Sequence, residues 1–176
     1  MALFSESYQQ QQQQLHEERP DYGVASVQFA PMVSDLINGN NVKELLDYGA
    51  GKGRLAQNLK VNHEVQIQMY DPGMPQYAKD PQPKEMVCCI DVLEHIEPEY
   101  LDNVLAHLQS LTKRIGFFTV HTGPAAKVLP DGRNAHLIQQ PPRWWLPKFL
   151  DRFELHQFNK MQNGFFVVVV PLAQQP

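Results

Sequence analysis

Short apolar runs alternate along this chain with stretches whose apolar residues recur at helical spacing. Residues 42–47 form the first apolar run and lead directly into Gly49-Ala50-Gly51-Lys52-Gly53, after which Leu55 and Leu59 stand four apart. That order predicts a strand, a glycine turn and a helix packed on a sheet. Residues 65–70 predict a second strand, closed by Asp71-Pro72-Gly73, a composition that favours a sharp exit from a sheet. Residues 86–90 predict a third, ending at Asp91. Leu101, Val104, Leu105, Leu108 and Leu111 then fall on one helical face, with Pro98 near the first turn and Lys113 and Arg114 expected near the end. Residues 115–120 predict a strand, residues 144–150 a short packing helix, and residues 153–158 and 165–170 a hairpin turning at Asn163-Gly164. Alternating strands and helices closed by a hairpin imply an α/β sandwich on a mostly parallel sheet.

The first 23 residues look different. Six consecutive glutamines, 9–14, are followed by His16, Glu17, Glu18 and Arg19, which leaves little apolar surface to offset the entropy of ordering. A flexible glutamine-rich lead is therefore expected over 1–23, ahead of a single domain over 24–176. Within that domain Val27, Ala30, Val33, Leu36 and Ile37 suggest a helix covering one side of a pocket, despite Pro31.

Composition narrows the class. A chain of 176 residues with 43% hydrophobic and 19% charged residues suits one globular domain rather than a disordered one. The net charge of −4 argues against a broad nucleic-acid surface. Cys88 and Cys89 are adjacent in an apolar run, so they read as core residues rather than as a metal, redox or disulfide motif. With no apolar leader and a late apolar stretch too short to span a bilayer, the expectation is a cytoplasmic protein without a membrane partner. The sequence leaves the oligomeric state open.

Glycines at 49, 51 and 53 permit a tight turn and close approach of a ligand to backbone, and amides at the following helix start are expected to face it. Two nucleotide readings fit poorly. A dinucleotide fingerprint needs a small residue where Arg54 stands, which disfavours a nucleotide-dependent oxidoreductase; a phosphate-binding loop needs Ser or Thr where Lys52 is followed by Gly53.

Leu46-Asp47-Tyr48-Gly49-Ala50-Gly51-Lys52-Gly53, Asp71 after the second strand and Asp91-Val92-Leu93-Glu94-His95 together resemble the class I S-adenosylmethionine-dependent methyltransferases. The resemblance implies a doubly wound, Rossmann-like methyltransferase sandwich over residues 40–171 with a terminal antiparallel hairpin, and S-adenosyl-L-methionine bound across the carboxyl ends of the first strands. On that likeness Asp47 organises the loop near the methionine end, Gly49, Ala50, Gly51 and Gly53 form the loop, Asp71 accepts hydrogen bonds from the ribose hydroxyls beside Pro72, and Ile90, Asp91 and Val92 border the cofactor. One departure is visible. Only 20 positions separate Asp71 from Asp91, and Pro72, Pro75, Pro81 and Pro83 oppose a helix between them. The third-strand region of the family is therefore expected to be shortened or missing, which moves the adenine toward loop atoms near Asp80, or near Cys89 and Ile90.

Methyl transfer demands alignment more than elaborate acid-base machinery, though a proton must leave many acceptors. His95, His121 and His136 are the candidate bases, and Tyr22, His121, Arg133, His136, Trp144 and Trp145 the candidate contacts to substrate, with Arg133 suited to an anion and the tryptophans to a ring. No His-x-x-x-His or paired-cysteine spacing points to a metal, and none is expected. A small polar metabolite, glycan precursor or natural-product intermediate is the expected acceptor. A binding or regulatory protein that keeps the cofactor fold without transfer is the alternative.

Overall fold

The computed structural model describes residues 1–19 and 24–173. Its centre is a six-stranded sheet built from β1 (Glu44–Tyr48), β2 (Gln66–Tyr70), β3 (Lys84–Ile90), β4 (Thr112–His121), β5 (Phe153–Met161) and β6 (Gly164–Pro171), in the spatial order β2-β1-β3-β4-β6-β5. The first four are mutually parallel, and the hairpin β5–β6 closes the sheet antiparallel to β4. This is the Rossmann-like sandwich expected. Among the described residues no strand lies outside β2, and the chain between β2 and β3 holds only a 3-10 turn at Pro75–Tyr77, as its prolines require.

Strand alternation divides the core into two layers. Leu46, Val87, Cys89, Phe118 and Val120 face α4 (Leu101–Leu111) and α5 (Pro142–Leu150). Leu45, Met86, Cys88, Ile90 and Phe117 face the other way, against Phe29 and against α2 (Ala30–Asn40), whose Val33 and Ile37 are wholly buried. Cys88 and Cys89 thus sit on opposite faces of β3, free and buried, and burial pushes both thiols far above their usual range. Lys113 and Arg114, expected at the end of α4, lie on β4 instead and pair with Glu44 and Glu85 at the surface.

α3 (Arg54–Asn58) is only five residues long. The backbone turns extended at Leu59, so Leu55 is buried while Leu59 packs from outside the helix. The glutamine tract departs most from expectation. It lies within α1 (Glu6–Glu18), capped where Tyr8 N–H donates to the Ser5 hydroxyl at 3.2 Å. Tyr8 and Leu15, two turns apart, share one face and join Leu129 in a small third core. No described helix is long and apolar enough to cross a membrane.

Candidate functional site

The carboxyl ends of β1, β2, β3 and β4 open into one cavity of about 380 Å³, the side of a parallel sheet where strand ends diverge and ligands bind. Of the residues singled out in the sequence, Asp47, Gly49, Ala50, Gly51, Asp71, Pro72, Ile90, Asp91, Val92, His95, His121 and His136 line it. Gly53 stands behind the wall at the start of α3, where a Cβ would meet Met69 Sδ at 2.8 Å. Cys89 is fully enclosed. Tyr22 lies outside the described residues.

The loop after β1 works by shape. Gly49, Gly51 and Gly53 take φ of +79°, +53° and +71°, and a Cβ on Gly49 would stand 2.3 Å from Val92 Cγ2. Four of its five amides, those of Gly49, Ala50, Gly51 and Gly53, are engaged within the protein. Gly49 N–H and Ala50 N–H donate to the Tyr70 carbonyl, at 2.7 and 3.0 Å, and Gly53 N–H donates to the Ala50 carbonyl at 2.9 Å. Gly51 N–H donates to Asp71 Oδ2 at 2.8 Å. A five-residue helix leaves little room for an N-terminal site, so what the loop supplies is a Cβ-free wall that polar atoms can approach.

Two carboxylates sit at that wall. Asp71 closes its own turn by accepting from Gly73 N–H at 2.8 Å through Oδ1, yet each of its oxygens keeps a further lone pair for a ligand hydroxyl. Asp47 is 3% exposed and its Oδ2 has no hydrogen-bond partner. Burial, with the neighbouring Asp71 charge, pushes its carboxyl up to about 7. An unpartnered buried carboxylate oxygen in a cavity wall suits a cationic donor.

The other end of the cavity is built from β3 and β4. Asp91 has φ +50°, a left-handed conformation for a residue with a side chain, and is held by Thr119, whose hydroxyl donates to Asp91 Oδ1 at 2.5 Å and accepts from Asp91 N–H at 2.9 Å. A 3-10 turn, Leu93–His95, then carries Glu94 and His95. Glu94 is fully buried: Oε1 accepts from His121 N–H at 2.9 Å, and Oε2 has no hydrogen-bond partner. Burial and the Asp91 charge hold this carboxyl well above the usual range. His95 Nδ1 donates to the Ala135 carbonyl at 2.8 Å, and His136 Nδ1 to the Gly123 carbonyl at 2.7 Å. The rings of His95 and His121 stand 4.6 and 4.8 Å from that of His136. Exclusion from water, reinforced by His136, lowers His95 to about 3; burial also lowers His136. So lowered, His95 is a poor base at neutral pH.

Three expected substrate contacts lie elsewhere. Trp145 is fully buried in the core, stacked with Phe149 and donating Nε1–H to the Gln140 carbonyl at 3.1 Å. Trp144 packs at its edge with Lys148 Nζ 4.5 Å from the ring centroid. Arg133 is exposed and braces its own loop through Asp131 at 2.7 Å. Apolar packing claimed the tryptophans, and a partner two residues away claimed the arginine.

α1 supplies what the sequence pattern did not reveal. Tyr8, Gln9, Gln12 and His16 line the cavity opposite the sheet. Tyr8 hydroxyl donates to the His95 carbonyl, Gln9 Nε2 to the Pro72 carbonyl at 2.9 Å and Gln12 Nε2 to the Tyr8 hydroxyl at 2.8 Å. Ser5 anchors the start of the helix to Glu97 through its N–H and hydroxyl, at 2.8 and 2.7 Å. The legible signal was Ser5 as a cap, with Tyr8 and Leu15 spaced by two turns. Ala25, Ser26 and residues 124–127 complete the rim.

A family model described as "Methyltransferase domain" matches residues 17–165. Among solved structures, an O-methyltransferase family protein from Burkholderia thailandensis superposes with a TM-score of 0.66 at 14% identity, over 99% of this chain and 65% of its own length, so the chain spans less than two thirds of that neighbour. The 1,6-didemethyltoxoflavin-N1-methyltransferase of Burkholderia thailandensis, with bound 1,6-didemethyltoxoflavin and S-adenosylhomocysteine, gives 0.62 at 14% identity over 90% of this chain and 84% of that one. The DhpI–SAH complex gives 0.64 at 13% identity over 95% and 98%. At such identities the likeness is one of fold. No curated protein matches the sequence.

Proposed function

The chain belongs to the methyltransferase-domain family, and from that premise we propose that it transfers a methyl group from S-adenosylmethionine to a small polar metabolite, glycan precursor or natural-product intermediate held beneath α1. The observation that carries the reading is the cavity at the strand ends, with a Cβ-free glycine wall and an unpartnered Asp47 Oδ2 inside it. Its volume lies within the range of about 300–1,000 Å³ typical of small-ligand sites. The residues fit the methyl donor. Asp47 would accept from its ammonium group, Asp71 from its ribose hydroxyls, and Pro72, Ile90 and Val92 offer apolar contact to its base. When bound, S-adenosylmethionine supplies a methyl carbon made electrophilic by the sulfonium.

The chain's own task is to align the acceptor and move one proton. α1 covers the side opposite the sheet, which helps hold the acceptor in line with the donor. His121 would take the acceptor's proton at Nε2, which requires its ring to leave the tautomer in which Nδ1 accepts from Gly123 N–H at 3.1 Å. The limited volume of about 380 Å³ supports a small acceptor over a polymer.

Incubating the protein with methyl-labelled S-adenosylmethionine and a fractionated metabolite extract tests this. Label should enter a small-molecule product, and Asp71→Ala should abolish it. Label confined to RNA or protein would overturn the acceptor class, and no label despite tight S-adenosylhomocysteine binding would leave a binding protein without transfer.

A further inference from the structure

Glu94, His95 and His136 come together at the β3–β4 end of the cavity, and we propose that they bind one first-row divalent transition cation. One donor atom from each, two ring nitrogens and a carboxylate oxygen, lie within 4.8 Å of one another. Donors about 2.0–2.2 Å from a shared ion stand about 3–3.5 Å apart. Modest side-chain rotations close that difference.

A buried carboxylate without a countercharge points the same way. Glu94 is fully enclosed, and its Oε2 has no hydrogen-bond partner while Oε1 is satisfied by His121 N–H. Burying such an oxygen unpaired is costly, and a cation is the species that removes the cost. The imidazoles are already oriented as ligands are: a backbone carbonyl holds Nδ1 of each, Ala135 for His95 and Gly123 for His136, which fixes the tautomer that directs the Nε2 lone pair to a metal.

The donor set selects the ion. Two imidazoles and one carboxylate suit zinc, manganese, iron or cobalt, whereas magnesium and calcium prefer oxygen throughout. Three protein ligands also leave coordination positions open. His95 and His136 both line the cavity, so those positions face the acceptor, and the acceptor selected is one that carries an oxygen donor. That last step rests on the methyl-transfer reading; the metal site itself does not. The ligands come from a turn after β3 and a loop after β4, about forty residues apart, so no local spacing announces them.

The test uses tag-free full-length protein stripped with chelator and titrated with Co²⁺ and with Zn²⁺, following Co²⁺ absorption, calorimetry and the metal retained after gel filtration. About one equivalent per chain is expected, with affinity falling at least about tenfold in His136→Ala and in Glu94→Gln, while His156→Ala on exposed β5 leaves it unchanged. Retention of no metal by the wild-type protein overturns the proposal, as does unchanged affinity in both ligand variants. Circular dichroism checks folding; if Glu94→Gln does not fold, His136→Ala and His136→Gln decide. S-adenosylhomocysteine binding is measured separately on the stripped protein, so its failure counts against the methyl-donor reading and not against the metal site.

Discussion

Replacing Asp47 with Asn isolates the unpartnered carboxylate at the end of β1. In the folded protein this group is raised from 3.8 to about 7, by burial first and by Asp71 second, and a raised carboxyl stabilises the fold only while protonated. Its contribution is therefore fully present below about pH 4 and is lost as pH rises through about 7. A rise of that size is worth about 4 kcal/mol in all, of which about 3 falls between pH 5 and 8.5. Asn keeps the shape and cannot ionise. Thermal unfolding of ligand-free protein should show the variant's advantage over wild type widening by about 6–12 °C between pH 5 and pH 8.5. Comparing the two forms cancels the other buried acids, Glu94 among them. The same substitution should weaken S-adenosylhomocysteine about 10- to 150-fold, the loss of one charge-assisted bond of about 1.5–3 kcal/mol. Wild-type affinity should rise with pH as Asp47 ionises, and the variant's should stay flat over the same interval. Parallel midpoint curves for the two proteins, from pH 5 to 8.5, would refute the argument.

Two further outcomes check other parts of the site. Gly49→Ala meets both a φ of +79° and Val92 Cγ2 at 2.3 Å, so chemical denaturation should show a loss of about 2 kcal/mol or more, and adding Val92→Ala should restore only the steric part. Trp145→Ala should cost about 3–5 kcal/mol in urea unfolding as a core truncation, with S-adenosylhomocysteine affinity of the folded protein unchanged; an affinity loss without a stability loss would put the ring in the site after all.

The parallel sheet was legible because its strands carry apolar residues on both faces: Met86 and Val87, or Phe117 and Phe118, point to opposite layers and both are buried. The glycine wall and Asp71 were legible because strand ends and turn residues are local features. What escaped was tertiary. α1 buries Tyr8 and Leu15 as its apolar residues and fastens itself through glutamine amides, which a count of apolar area overlooks. Trp144 and Trp145, adjacent on a helix, diverge by about 100°, so one enters the core while the other skirts it. Glu94 drew attention only as part of a motif, since its place beside two histidines depends on a loop about forty residues away.

The glutamine tract is best understood as a ruler. Tyr8 and Leu15 face the same way because seven positions make two helical turns, and residues 9–14 are the spacing between them. One glutamine inserted or deleted would turn everything beyond it by about 100°, swinging Leu15 off its small core and His16 off the cavity rim while leaving composition almost untouched. In this fold the number of glutamines, more than their identity, decides whether both ends of α1 reach their partners.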